Sequence, residues 1–112
     1  MLTIERLRKY GADPDEGIAR CFNDKDFYFT MIMKVMEDNS FTNLKYALLN
    51  HDFKKSFELA NSMKDVFSNL ALIPLYEITT ELCDLIKNKS KIDYNPILGR
   101  LYSKRDELIN LI

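Results

Sequence analysis

The stretch Asp52-Phe-Lys-Lys-Ser-Phe-Glu-Leu-Ala-Asn-Ser-Met-Lys-Asp-Val-Phe-Ser-Asn-Leu70 decides the fold. Phe53, Phe57, Ala60, Phe67 and Leu70 recur at the spacing of one helix face, and Leu59, Met63 and Val66 support it. Asp52 stands where an N-cap carboxylate would accept the first free amides. The opposite stripe reads Lys54, Glu58, Asn61, Asp65 and Ser68, with Lys64 one turn from Asn61. Side chains three and four apart lie one above the other, so Asn61, Lys64 and Asp65 form one surface cluster. A helix with one apolar side needs partners, and the flanking sequence supplies them.

Downstream, Leu72-Ile73-Pro74 opens a helix with Leu75, Ile78, Leu82 and Leu85 on one face. Asn88 to Asp93 is polar connection. Asp93 or Asn95 starts a last helix in which Ile97, Leu101, Leu108 and Ile112 are in phase. Upstream, Asn50-His51-Asp52 marks a turn. Ser40 caps a stretch with Phe41, Leu44 and Leu48 on one face, either a separate helix or the preceding one continued after a kink at Asn39-Ser40.

That preceding helix runs from Lys25, capped by Asn23-Asp24, to about Asp38. It has two apolar stripes, Tyr28, Ile32 and Val35 on one side and Phe29, Met33 and Met36 on the other, which predicts contacts on two sides. The methionines at helical spacing read as core rather than as a peptide groove. Thr3 to Tyr10 is a short helix closed by Gly11. Asp13-Pro14-Asp15-Glu16 restarts the chain with an N-cap, a proline at the first helical position and a capping-box glutamate, for a helix ending near Phe22. Nothing alternates with period two. The expectation is an all-α single domain over residues 1–112: an antiparallel up-down four-helix bundle with short N-terminal capping helices.

Composition narrows the function. The 112 residues contain three glycines, too few for a phosphate-cradling loop, and neither dinucleotide nor P-loop spacing occurs. One histidine and two distant cysteines make no ordinary zinc site, and no cofactor is expected. Sixteen basic and seventeen acidic residues give a formal charge of −1, which argues against nucleic acid as the main partner. Charge is uneven: residues 86–105 carry Lys87, Lys89, Lys91, Arg100, Lys104 and Arg105 against Asp93 alone, which reads as a solvated helix end and turn rather than a phosphate site. Met1 is followed by Leu-Thr-Ile-Glu-Arg with no long apolar run, so neither a signal peptide nor a membrane span is expected and the cytoplasm is the expected compartment. Cys21 and Cys83 fit a reducing compartment as small core residues. Asp13/Asp15 and Asp24/Asp26 read as cap chemistry, and Asp106-Glu107 beside Lys104 and Arg105 as surface charge pairing.

The Asp52–Leu70 segment resembles the active helix of the histidine-containing phosphotransfer (HPt) family, which reads Asp, then Ala-His-Thr-Leu-Lys-Gly, then a small-residue stretch ending in Asn-Leu-Gly. Here the phrase is Ala60-Asn61-Ser62-Met63-Lys64-Asp65 and ends in Asn69-Leu70. Gly17-Ile18 and Phe22-Asn23-Asp24-Lys25-Asp26-Phe27-Tyr28 are similar to the family's approach to its first long helix, and Glu81 and Leu82 fit the helix after the active one. The likeness covers roughly residues 4–105. It implies a carrier domain of a two-component phosphorelay, whose exposed histidine takes a phosphoryl group from a receiver-domain aspartate and passes it on.

The sequence departs from the family at the acceptor. Asn61 replaces the histidine and Asp65 the glycine four residues on, while Lys64 is kept. An amide nitrogen is no usable nucleophile, because its lone pair is delocalised. A carboxylate one turn away would repel an incoming phosphoryl group by about 1–4 kcal/mol at about 4 Å. The expectation is therefore a non-enzymatic, favourably monomeric module that docks on a receiver domain or a histidine kinase through Lys54, Glu58, Asn61, Lys64, Asp65 and Ser68 without being phosphorylated. Two alternatives stand beside it. One is an active phosphotransfer protein using His51, whose place in a turn at the bundle end argues against it. The other is a helical adaptor or dimerisation domain pairing through Phe27–Met36 or the apolar end Leu108-Ile109-Asn110-Leu111-Ile112.

Overall fold

The computed structural model describes residues 1–112. Every regular element in it is a helix: α1 (Ile4–Tyr10), α2 (Pro14–Arg20), α3 (Lys25–Glu37), α4 (Ser40–Leu49), α5 (Phe53–Asn69), α6 (Ile73–Lys87) and α7 (Asn95–Ile109).

Three helices start on an aspartate side chain, and α1 on the hydroxyl of Thr3, which accepts from the Arg6 amide at 3.0 Å. Asp13, Asp24 and Asp52 each accept an amide hydrogen bond from three residues on, at 3.2, 3.0 and 3.1 Å from Glu16, Phe27 and Lys55. Two expected caps work differently. Glu16 does not reach back to complete a capping box; its carboxylate pairs with Arg20 at 3.0 Å, while the Asp13 amide donates to the carbonyl of Ala71. Ser40 is the first helical residue of α4, not its cap. The Asp38 carboxylate accepts from both the Ser40 amide (2.8 Å) and hydroxyl (2.7 Å), so an aspartate two residues earlier separates α3 from α4.

The helix ends share one closure. After α1, α2, α4, α5 and α6 the chain passes through a left-handed residue, Gly11, Phe22, His51, Ala71 and Lys89 respectively. In each case the next residue, Ala12, Asn23, Asp52, Leu72 or Ser90, donates its amide to the carbonyl five positions back. This satisfies carbonyls that the helix itself leaves free. Only Gly11 takes that conformation without a side-chain penalty. At φ 59, Phe22 is a clear outlier for a bulky residue. The last helix stops at Ile109, short of the expected Ile112, which is exposed.

Packing gathers 25 buried residues from every helix but α2, and from the turns, into one core, against which Ile18 of α2 packs half-buried. α5 packs most extensively on α6, then on α4, and α6 in turn on α7. Ring contacts of Phe41 with Phe67 (6.0 Å between centroids) and with Tyr102 (6.4 Å) join α4, α5 and α7. Four tyrosine hydroxyls, that of Tyr28 buried, tie the chain together by donating to backbone carbonyls: Tyr10 to Lys104 and Tyr28 to Leu70 at 2.8 Å, Tyr94 to Ser90 at 2.8 Å, and Tyr102 to Phe41 at 2.9 Å. Gly17 lets α2 lie against α3, since a Cβ there would collide with the Tyr28 ring.

Several burial expectations need correction. α3 buries one stripe, Tyr28, Ile32 and Met36, flanked by half-buried Phe29 and Val35, and leaves Met33 exposed. In α5 the buried positions are Ser56, Ala60, Met63 and Phe67, whereas Phe53, Phe57 and Leu59 are half-buried and Val66 is exposed. Ser56 tolerates full burial because its hydroxyl donates to the Asp52 carbonyl at 2.7 Å, and Thr79 does the same to Leu75. Leu85 is half-buried, while Thr79, Cys83 and Ile86 of α6 are buried. The Phe41, Leu44 and Leu48 face of α4 is buried as expected, as are Cys21 and Cys83, both free thiols. No helix is long and apolar enough to cross a membrane.

Candidate functional site

The polar stripe of α5 is carried by the longest helix of the molecule, held on two sides by α4 and α6. Its position is thus fixed by the core on the far side of the same helix. Within the stripe, Lys54, Glu58 and Asp65 are exposed, and Asn61, Lys64 and Ser68 are partly covered. Lys54, Glu58, Lys64 and Asp65 take part in none of the six ion pairs of the protein. Their charge is available to solvent or a partner. The Ser68 end is occupied differently, since its carbonyl accepts a hydrogen bond from the Arg20 guanidinium of α2.

Buried Cys83 of α6 lies close enough to Lys64 and Asp65 to feel their charges, which α5 alone does not reveal. Burial pushes its thiol pKa up; Lys64 pulls the other way, and Asp84 and Asp65 add to the rise. The thiol therefore stays protonated near neutrality and is a poor nucleophile. Cys83 is legible only once α6 is laid against α5, which no spacing within either helix reveals. Asn61 presents a carboxamide, which can donate and accept hydrogen bonds but not carry a transferable group.

His51 lies apart from this stripe. It is exposed, at φ 55 in the left-handed position that closes α4, with its ring 6.3 Å from that of Phe53. Its neighbour Asp52 is committed to the Lys55 amide. No group of three or more histidine, cysteine, aspartate or glutamate side chains is placed to hold a metal ion.

The basic segment 86–105 does not act as one patch. Arg100 pairs with Glu81 at 3.0 Å, Lys104 with Glu107 at 2.9 Å and Arg105 with Asp106 at 3.0 Å, and the Arg105 guanidinium also stacks over Tyr102 at 4.7 Å. Lys87, Lys89 and Lys91 remain without such partners. The paired aspartates likewise divide: Asp13 and Asp24 cap helices, and Asp15 pairs with Arg8 at 2.7 Å.

Fold and stripe together define an all-helical domain that displays an unpaired polar face on its central helix. Comparisons with protein-family models, with curated proteins and with solved structures each return no match for the chain.

Proposed function

We propose that this chain is an HPt-like docking module of a two-component phosphorelay, one that engages a receiver domain or histidine kinase without accepting a phosphoryl group. The observation that carries the reading is the α5 stripe, where Asn61, which the resemblance aligns with a phospho-accepting histidine, shares one surface cluster with exposed Asp65 and ion-pair-free Lys64. Lys64 offers an ammonium to the acidic pocket of a receiver, while Asn61 offers only hydrogen bonds. Ala71 adds support. Its φ of 51 is a conformation that glycine adopts freely, at the place where the family phrase Asn-Leu-Gly has its glycine. In this reading α3 with α4, α5, α6 and α7 form the four members of an up-down bundle, α3 and α4 counting as one helix broken at Asp38, and α1 and α2 cap it. The module works in the cytoplasm as a monomer.

The test pairs binding with a gain of function. Titration calorimetry should detect wild-type binding to at least one receiver domain encoded in the same genome. A phosphorylated cognate receiver should leave wild type unlabelled and transfer acid-labile phosphate to the Asn61→His/Asp65→Gly variant. Labelling of wild type would overturn the reading, and so would uniform failure of receivers and kinase domains to bind.

A further inference from the structure

Where α5 begins and α6 ends, an open cleft of about 600 Å³ is lined by Phe53, Lys54, Phe57, Ile86, Lys87 and Lys89. Its floor is apolar: Ile86 is buried, and the rings of Phe53 and Phe57 are half-buried against the core. Every charged residue of its lining is a lysine, and none of the three is in an ion pair. The acids closest in sequence point their capacity elsewhere or stand outside the lining: Asp52 caps α5, and Glu58 and Asp84 are not among the cleft residues.

The cleft between α6 and α7 shows the contrast. It is lined by Glu77, Arg100 and Lys104 among others, and there both cations are neutralised, by Glu81 and Glu107. Lysine charge is thus left uncompensated around the apolar floor at the α5/α6 end. The turn carrying Lys89 is held in place. Lys89 sits at φ 50, the Ser90 amide donates to the Leu85 carbonyl at 3.1 Å, and the Tyr94 hydroxyl donates to the Ser90 carbonyl at 2.8 Å.

We propose that this cleft docks a protein segment in which acidic side chains flank apolar ones. An apolar side chain of that segment covers Phe53, Phe57 and Ile86, while its carboxylates meet the ammonium groups of Lys54, Lys87 and Lys89. Lysines suit such a partner because their heads are mobile point charges on flexible stems, able to follow carboxylates that are not rigidly placed. Three like charges around one apolar floor also steer an acidic partner during encounter and repel a basic one. Lys54 belongs to both the cleft and the α5 stripe, so a partner seated on one reaches the other. The cleft assignment stands on its own lining and holds whether or not the partner is a phosphorelay protein.

Fluorescence anisotropy with labelled synthetic peptides tests it against the full chain. The probes are a peptide alternating glutamate and leucine, the same peptide with glutamine for glutamate, and the same with serine for leucine. Expected is saturable binding of the first alone, falling as salt rises, weakened about ten-fold or more by Lys87→Glu/Lys89→Glu and unchanged by Lys45→Glu on α4. Circular dichroism confirms that these exposed-lysine variants stay folded. Absence of saturable binding would overturn the proposal, as would equal binding of the serine peptide or equal loss with Lys45→Glu, both of which signify diffuse charge attraction. Vesicles containing anionic lipid form a separate arm. If they retain wild type but not the Lys87→Glu/Lys89→Glu variant while the peptide fails to bind, the cleft is a membrane contact and the proposal is wrong.

Discussion

The two faces of α5 share one backbone and differ in everything that constrains a side chain. On the inner face, Ser56, Ala60, Met63 and Phe67 are sealed by α4 and α6, and even the serine hydroxyl has its partner within the protein. On the outer face, Lys54, Glu58, Lys64 and Asp65 have no ion-pair partner in the protein. Burial of apolar area stabilises the first face at roughly 25 cal/mol per Å². Exposed charges on the second contribute within about 0.5 kcal/mol each way. Stability and the proposed recognition are therefore separable on a single helix, and substitutions on the two faces should fail in different assays.

The largest break is expected at Phe67. Truncation to alanine removes the ring that meets Phe41 and leaves a cavity at the junction of α4, α5 and α7. Phe67→Ala should cost about 3–5 kcal/mol in urea unfolding. A loss under 1 kcal/mol would mean that the inner face is not packed as described.

Next comes the end of α5, where the buried Tyr28 hydroxyl donates to the Leu70 carbonyl at 2.8 Å. Tyr28→Phe keeps the ring but strips a buried acceptor of its donor, for a cost of about 1–3 kcal/mol. The same tyrosine shapes the alkaline limb of stability. Burial raises the phenol pKa values of Tyr10 and Tyr28 well above the ordinary 10.0, with Glu107 adding to the first and Cys21 and Asp13 to the second; burial also raises those of Tyr94 and Tyr102. Above about pH 10 the unfolded chain releases these protons while the folded protein holds them, so the unfolded state binds fewer protons and stability falls as pH rises. The contribution is fully present below about pH 10. The urea midpoint should hold flat up to that pH and then drop, and Tyr28→Phe should drop less steeply. A midpoint that stays level to about pH 11.5 would count against these buried donors.

The contrast between legible and illegible features follows the same physics. Helix starts at Asp13, Asp24 and Asp52 were readable because one side-chain chemistry serves a cap. Helix ends were readable at Gly11 but not as left-handed closures at Phe22, His51, Ala71 or Lys89, since the local rule assigns that conformation to glycine and here the same amide hydrogen bond to the carbonyl five residues back closes the helix on other residues. The α5 stripe followed from its period. Its depth did not: whether Asn61 and Lys64 stand clear or are partly covered depends on how other elements lie against α5, and the meeting of Phe53 and Phe57 with Ile86, Lys87 and Lys89 depends on where α6 lies. Ser56 stands in phase with Ala60, Met63 and Phe67, but its polar side chain argues for the outside, and only the hydrogen bond to the carbonyl four residues back makes its burial tolerable.

The outer face should answer to substitution with little change in stability. Asn61→His with Asp65→Gly alters two residues of the stripe that have no ion-pair partner, and the helix-propensity loss from aspartate to glycine is only a few tenths of a kcal/mol. The double variant should unfold within about 0.5 kcal/mol of wild type. A larger loss would show that Asn61, which is partly covered, carries packing as well as surface, and would blur the division between the faces.

The smallest effect sharpens the comparison at the point where α5 begins. His51 belongs to neither face; it closes α4 in the left-handed conformation and is exposed. That conformation costs a side-chain-bearing residue roughly 1–2 kcal/mol, while a glycine in its place forfeits about 0.5–1 kcal/mol of chain entropy on folding. His51→Gly should therefore raise stability by about 0.5 kcal/mol, measured by urea unfolding, and leave the proposed receiver binding unchanged by calorimetry. If the variant is instead less stable by more than about 1 kcal/mol, the imidazole contact with Phe53 is part of what seats α5. If receiver binding is lost while the fold survives, the partner surface extends around the bundle end to the only histidine in the chain, and the outer stripe of α5 is not the whole of it.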